Sequence, residues 1–110
     1  MIDISPKERN LLSAMRKRAP MFVGEYSLAK LSIFLGAYSI ALKEYGLDNR
    51  YCMIPEEFNE FVLKKYSLYP CNRNYAMVIL QNISDGKEAI EMFFQLLDEF
   101  LEANGFERIS

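Results

Sequence analysis

Apolar residues along this chain recur at three- and four-residue steps, and Pro and Gly cut those runs into helix-sized pieces. The punctuation falls at Pro20, Gly24, Gly46, Pro55, Pro70, Gly86 and Gly105. A first helix is expected from about Pro6 to Arg18. Ser5 is its N-cap, Pro6 its first residue, and Glu8 holds the capping-box position. Leu11, Leu12 and Met15 form its apolar stripe, and Arg16, Lys17 and Arg18 occupy the end where the helix dipole favours cations.

The second piece runs from Ser27 to Tyr45 and stops at Gly46. Leu28, Leu31, Ile33, Phe34, Leu35, Tyr38, Ile40, Ala41 and Leu42 are apolar nearly all round, which predicts the buried centre of the fold. A third helix is expected from Pro55 to about Tyr66, with Glu56, Glu57 and Glu60 at its start and Lys64 and Lys65 at its end. The segment from Asn74 to Ile83 fits a buried helix or a short strand. Met21-Phe22-Val23 is the other strand-like stretch. A lone strand leaves its backbone unpaired, so helix is favoured, with a two-strand pairing as the alternative. The fifth piece is the clearest: Asp85 and Glu88 suggest a capping box, Gly105 closes it, and Ile90, Phe93, Phe94, Leu97 and Leu101 repeat at helical spacing. These pieces predict an all-α single domain over residues 1–110, about five helices around a buried central one.

Composition supports a packed core: 51% of the 110 residues are hydrophobic and 25% charged, unlike a disordered chain. The formal net charge of −2 gives no general attraction to nucleic acid or to an anionic membrane. It is unevenly spread. Residues 1–55 hold eight Lys/Arg and five Asp/Glu, whereas residues 56–110 hold five and ten. Cys52 and Cys71 make no disulfide framework, no signal peptide is visible, and no apolar run reaches membrane-span length. The expectation is a reducing, cytosolic setting with two free thiols, a Cys52–Cys71 bond being the alternative.

Catalytic chemistry is hard to assemble from these residues. With no histidine, the usual triads and most zinc sites are excluded. The cysteines have neither a CxxC partner nor a base to activate them, and the glycines are isolated, so no phosphate loop exists. Carboxylate pairs such as Glu56/Glu60 or Asp98/Glu102 would share a helix face, but a polar one, without the burial that general acid/base work requires of one partner. No catalytic residue, metal or cofactor is expected, and the chain is read as a binder, not an enzyme.

One charge pattern stands out. In the fifth helix Glu88, Glu91, Asp98 and Glu102, with Gln95, form a stripe that Glu99 widens. Asp98, Glu99 and Glu102 lie near the negative end of the helix dipole, where acids are unfavourable. Two explanations stay open. The basic end of the first helix packs there and neutralises them, or they face a cationic partner.

The stretch Lys17-Arg18-Ala19-Pro20-Met21-Phe22-Val23-Gly24-Glu25-Tyr26-Ser27-Leu28 resembles the "RPxMYxG…SL" opening of small bacterial proteins of about this length. The segments Leu31 to Tyr45, Phe58-Asn59-Glu60-Phe61-Val62 and Phe93-Phe94-Gln95-Leu96-Leu97-Asp98-Glu99-Phe100 continue the likeness. Such proteins resemble immunity proteins of polymorphic and contact-dependent growth inhibition toxin systems. The resemblance implies a cytosolic inhibitor that binds a cognate toxin domain, often a nuclease, with no residues to carry over. Combined with the charge pattern, it makes Glu56, Glu57, Glu60, Asp98, Glu99 and Glu102, with Tyr69 as an aromatic anchor, the expected surface for a basic toxin domain. The alternative is a helical interaction or self-association module with no toxin partner.

Overall fold

A computed structural model describes residues 3–45, 53–68 and 73–109, and among these residues there is no strand. Six helices follow in order: α1 (Pro6–Arg18), α2 (Pro20–Val23), α3 (Leu28–Tyr45), α4 (Glu57–Lys65), α5 (Tyr75–Leu80) and α6 (Lys87–Ala103). The fold is all-α, as the periodicity predicts.

Local signals set the start of α1. The Ser5 hydroxyl oxygen accepts from the Glu8 N–H at 3.2 Å, and Pro6 takes the first helical position, where its missing N–H costs nothing. Glu8 is buried and turns towards α3, where its carboxylate accepts from the Tyr38 hydroxyl at 3.1 Å. Partial burial, followed by that bond and the Glu8 charge, raises the Tyr38 pKa. Pro20 separates α1 from α2, the extra turn that contains the strand-like Met21-Phe22-Val23. Gly24 ends that turn at φ 86°, its N–H donating to the Pro20 carbonyl at 2.9 Å; few other residues adopt that φ cheaply.

The buried centre is α6, not the second long helix. In α6 Ala89, Ile90, Phe93, Phe94, Leu96, Leu97, Asp98, Phe100 and Leu101 are buried. In α3 only Leu28, Leu31 and Leu35 are. The uncertain fourth segment is helical: the Asn74 side chain caps α5 by accepting from the Met77 N–H at 2.9 Å. Asn59 of α4 accepts the Tyr75 N–H at 2.8 Å, which fixes α5 against α4. The Phe58 ring lies 5.3 Å from Tyr75, 5.9 Å from Phe93 and 5.6 Å from Phe100, so one aromatic cluster joins α4, α5 and α6. Burial pushes the Tyr75 hydroxyl far above the ordinary tyrosine range.

Asp85 does not cap its own helix. Gly86 is the N-cap of α6, with no side-chain cap bond. The Asp85 carboxylate instead accepts the Leu28 N–H at 2.6 Å, the Ser27 hydroxyl at 2.8 Å and the Ala29 N–H at 3.4 Å. Partial burial raises its pKa, but these bonds and the Gly86 N–H outweigh that and hold it below the ordinary carboxylate value. A carboxylate 57 residues away in sequence thus satisfies the open first turn of α3.

Asp85→Ala is expected to cost about 1–2 kcal/mol in urea unfolding at pH 7. Because the native pKa is depressed, the carboxylate stabilises the fold above its unfolded pKa of about 3.9, and that contribution disappears as pH falls through the native value. The gap between wild type and variant should therefore narrow in acid.

Candidate partner-binding surface

The acids predicted to face a partner divide into two sets. Asp98 is 2% exposed. Its Oδ2 accepts from the Arg16 guanidinium of α1 at 2.8 Å, and its Oδ1 accepts the Ile109 N–H at 2.8 Å. Arg108 lies 3.6 Å away. Arg16 also donates to the Ile109 carbonyl at 2.9 Å and sits over the Phe94 ring, 5.5 Å from its centroid. Asp98 therefore leaves the expected partner surface, because its lone pairs are used inside the fold. A buried carboxylate is tolerated only when paired and hydrogen-bonded in this way.

Glu99 and Glu102 also have in-chain partners. Lys65 of α4 lies 3.0 Å from Glu99 Oε2, and Arg108 lies 3.5 Å from Glu102. Glu99 Oε2 is buried without a hydrogen bond of good geometry, so its contact with Lys65 is an ion pair only. Three acids at the unfavourable end of α6 are thus met by Arg16, Lys65 and Arg108, from α1, α4 and the C-terminal tail. The in-chain explanation accounts for the charge pattern. Sequence reasoning named the basic end of α1 as a counter-charge; it had no signal for Lys65 or for the returning tail.

Glu56, Glu57 and Glu60 form the second set. All three are exposed around the first turn of α4, and none has an ion-pair partner among the described residues. Tyr69 lies outside the described residues, as do Cys52 and Cys71. Among the described residues no group of His, Cys, Asp or Glu could hold a metal ion, and no helix is long and apolar enough to cross a membrane.

A further surface lies on α3. With Leu28, Leu31 and Leu35 turned inward, Ile33, Gly36, Ala37, Ile40 and Ala41 face solvent; Ile33 is 72% and Ile40 66% exposed. Met21 of α2 and Met77 of α5 are exposed too. The signal is present in the sequence as Ile33, Ala37, Ile40 and Ala41 at steps of four, three and one, but an apolar pattern all round a helix does not say which side is covered. Contiguous exposed apolar surface of this kind marks an interaction site.

Comparison with known proteins adds no family. No protein-family model, curated protein or solved structure matches the chain.

The two sets of acids should respond differently to mutation. Asp98→Ala leaves the Ile109 N–H buried and unpaired and is expected to cost about 2–4 kcal/mol. Glu99→Gln and Glu102→Gln, in more exposed pairs, should each stay within about 1 kcal/mol of wild type. Urea unfolding of the three variants checks the contrast.

Proposed function

We propose that this chain is a cytosolic binding protein that neutralises a basic toxin domain, the role implied by its resemblance to immunity proteins. The observation that best supports a cationic partner is the free acidic face at the start of α4. Glu56, Glu57 and Glu60 stand exposed with no ion-pair partner among the described residues, whereas Asp98, Glu99 and Glu102 are engaged within the fold. A lysine- or arginine-rich active-site rim would be drawn to such a face, with the main gain in association rate and specificity. Inhibition would be stoichiometric, through occlusion of the toxin's nucleic-acid site, and would need no chemistry from the inhibitor.

A second reading is favoured by the exposed apolar face of α3: a helical self-association module. The two readings use different surfaces and do not compete for residues.

The toxin reading predicts a toxin-bearing open reading frame beside the gene for this chain, and the domain it encodes is the test partner. Co-expression should restore growth, and the purified chain should titrate the toxin's nuclease activity at one to one. Reversing Glu56, Glu57 and Glu60 to Lys should weaken capture at least about tenfold, mostly through a slower association rate. Unchanged affinity in a folded triple variant would remove this face from the interface.

A further inference from the structure

We infer that the exposed face of α3 pairs with the same face of a second copy of this chain, in an antiparallel two-fold dimer centred at Ala37. The inference rests on the self-association reading above and is independent of toxin capture through α4.

At about 100° per residue, Lys30, Ile33, Ala37, Ile40, Ala41 and Glu44 lie along one side of α3, opposite the buried Leu28, Leu31 and Leu35. All six are exposed. The middle of the stripe is apolar and its two ends carry opposite charges. Lys30 and Glu44 each stand seven residues from Ala37, about 10 Å along the axis.

That symmetry selects the partner. A copy laid antiparallel across a two-fold axis at Ala37 brings Lys30 of each helix against Glu44 of the other, at both ends of the stripe. It also sets Ile33 and Ile40 of the two copies on either side of the crossing. A parallel copy would set Lys30 against Lys30 and Glu44 against Glu44. A surface whose charge pattern inverts about its own centre is self-complementary in the way that a two-fold interface requires. At the crossing, Ala37 is small, so two backbones can approach closely.

Two other charges belong to this surface. Glu25 already pairs with Lys30, but both are exposed, so that pair is weak and can be shared with an incoming Glu44. Lys43 is exposed beside Glu44, on the flank of the stripe, and stays in solvent. Exposed Met21 and Met77 come from the neighbouring α2 and α5, both of which contact α3.

The test is sedimentation equilibrium of the full chain up to about 200 µM, a range suited to an interface at the small end of stable dimers. The wild type should approach dimer mass. Ala37→Glu sets two carboxylates against each other on the axis and should raise the dissociation constant at least about tenfold, with far-ultraviolet circular dichroism unchanged. Lys30→Glu and Glu44→Lys should each weaken self-association about threefold or more, and an equimolar mixture of the two should recover it as a heterodimer. A wild type that stays monomeric throughout overturns the proposal, as does a dimer indifferent to Ala37→Glu and to both charge reversals. Monomers whose α3 face gains hydrogen-exchange protection only when the toxin domain is added would also overturn it and assign the face to the toxin.

Discussion

A carboxylate removed from water must find donors for its oxygens, and Asp98 finds them in parts of the chain that are otherwise unconnected. Arg16 lies in the last turn of α1, Ile109 near the end of the described chain, and Asp98 in the last third of α6. Arg16 spans both, because it also holds the Ile109 carbonyl. These bonds close the C-terminal tail over the helix and dock α1 on α6. Removing any one donor leaves a polar group stranded in a region that excludes water. The charge placed against the α6 dipole is thereby explained: an acid there is unfavourable in an isolated helix and becomes favourable when the next element brings a guanidinium.

How much of this could be read from the sequence depends on whether a signal is local. The Ser5-Pro6 start of α1 and the core stripe of α6 depend on residues within a turn or two of each other and are legible, whereas the Asn74 cap that makes Tyr75–Leu80 a helix is not read from the sequence. Asp85 was misassigned because a capping-box pattern specifies a capable acid without specifying which helix it serves; its geometry favours α3 over its own helix. The helicity of α3 was legible but its burial was not. Apolar residues all round a helix leave open which face the rest of the chain covers; α2, α5 and α6 contact α3, and the residues buried are Leu28, Leu31 and Leu35. Asp98 shows the same limit for the candidate site. Its position in an acidic stripe is a local fact, whereas its burial depends on a tail that returns from Gly105, and no periodicity reports that return.

The functional account follows from what the fold has left uncommitted. Asp98, Glu99 and Glu102 at the end of α6 are engaged within the fold, whereas Glu56, Glu57 and Glu60 at the start of α4 are exposed, as are Glu88 and Glu91 in the first half of α6. The Phe58–Tyr75–Phe93–Phe100 cluster buries the inner faces of α4, α5 and α6, whereas Ile33 and Ile40 on the outer face of α3 are exposed. On the proposed reading, charge-guided capture of one partner would be separate from apolar pairing with another. The first depends on ionic strength, and the second responds mainly to chain concentration.

The central claim is that the acid placed against the α6 dipole is a structural fastener. A double-mutant cycle on Arg16→Gln and Asp98→Asn, measured by urea unfolding, tests it most directly. The account predicts a coupling of about 1–3 kcal/mol between the two positions, as for residues of one buried network. Additive effects, within about 0.5 kcal/mol of zero coupling, would contradict it and return Asp98 to the solvent-facing stripe.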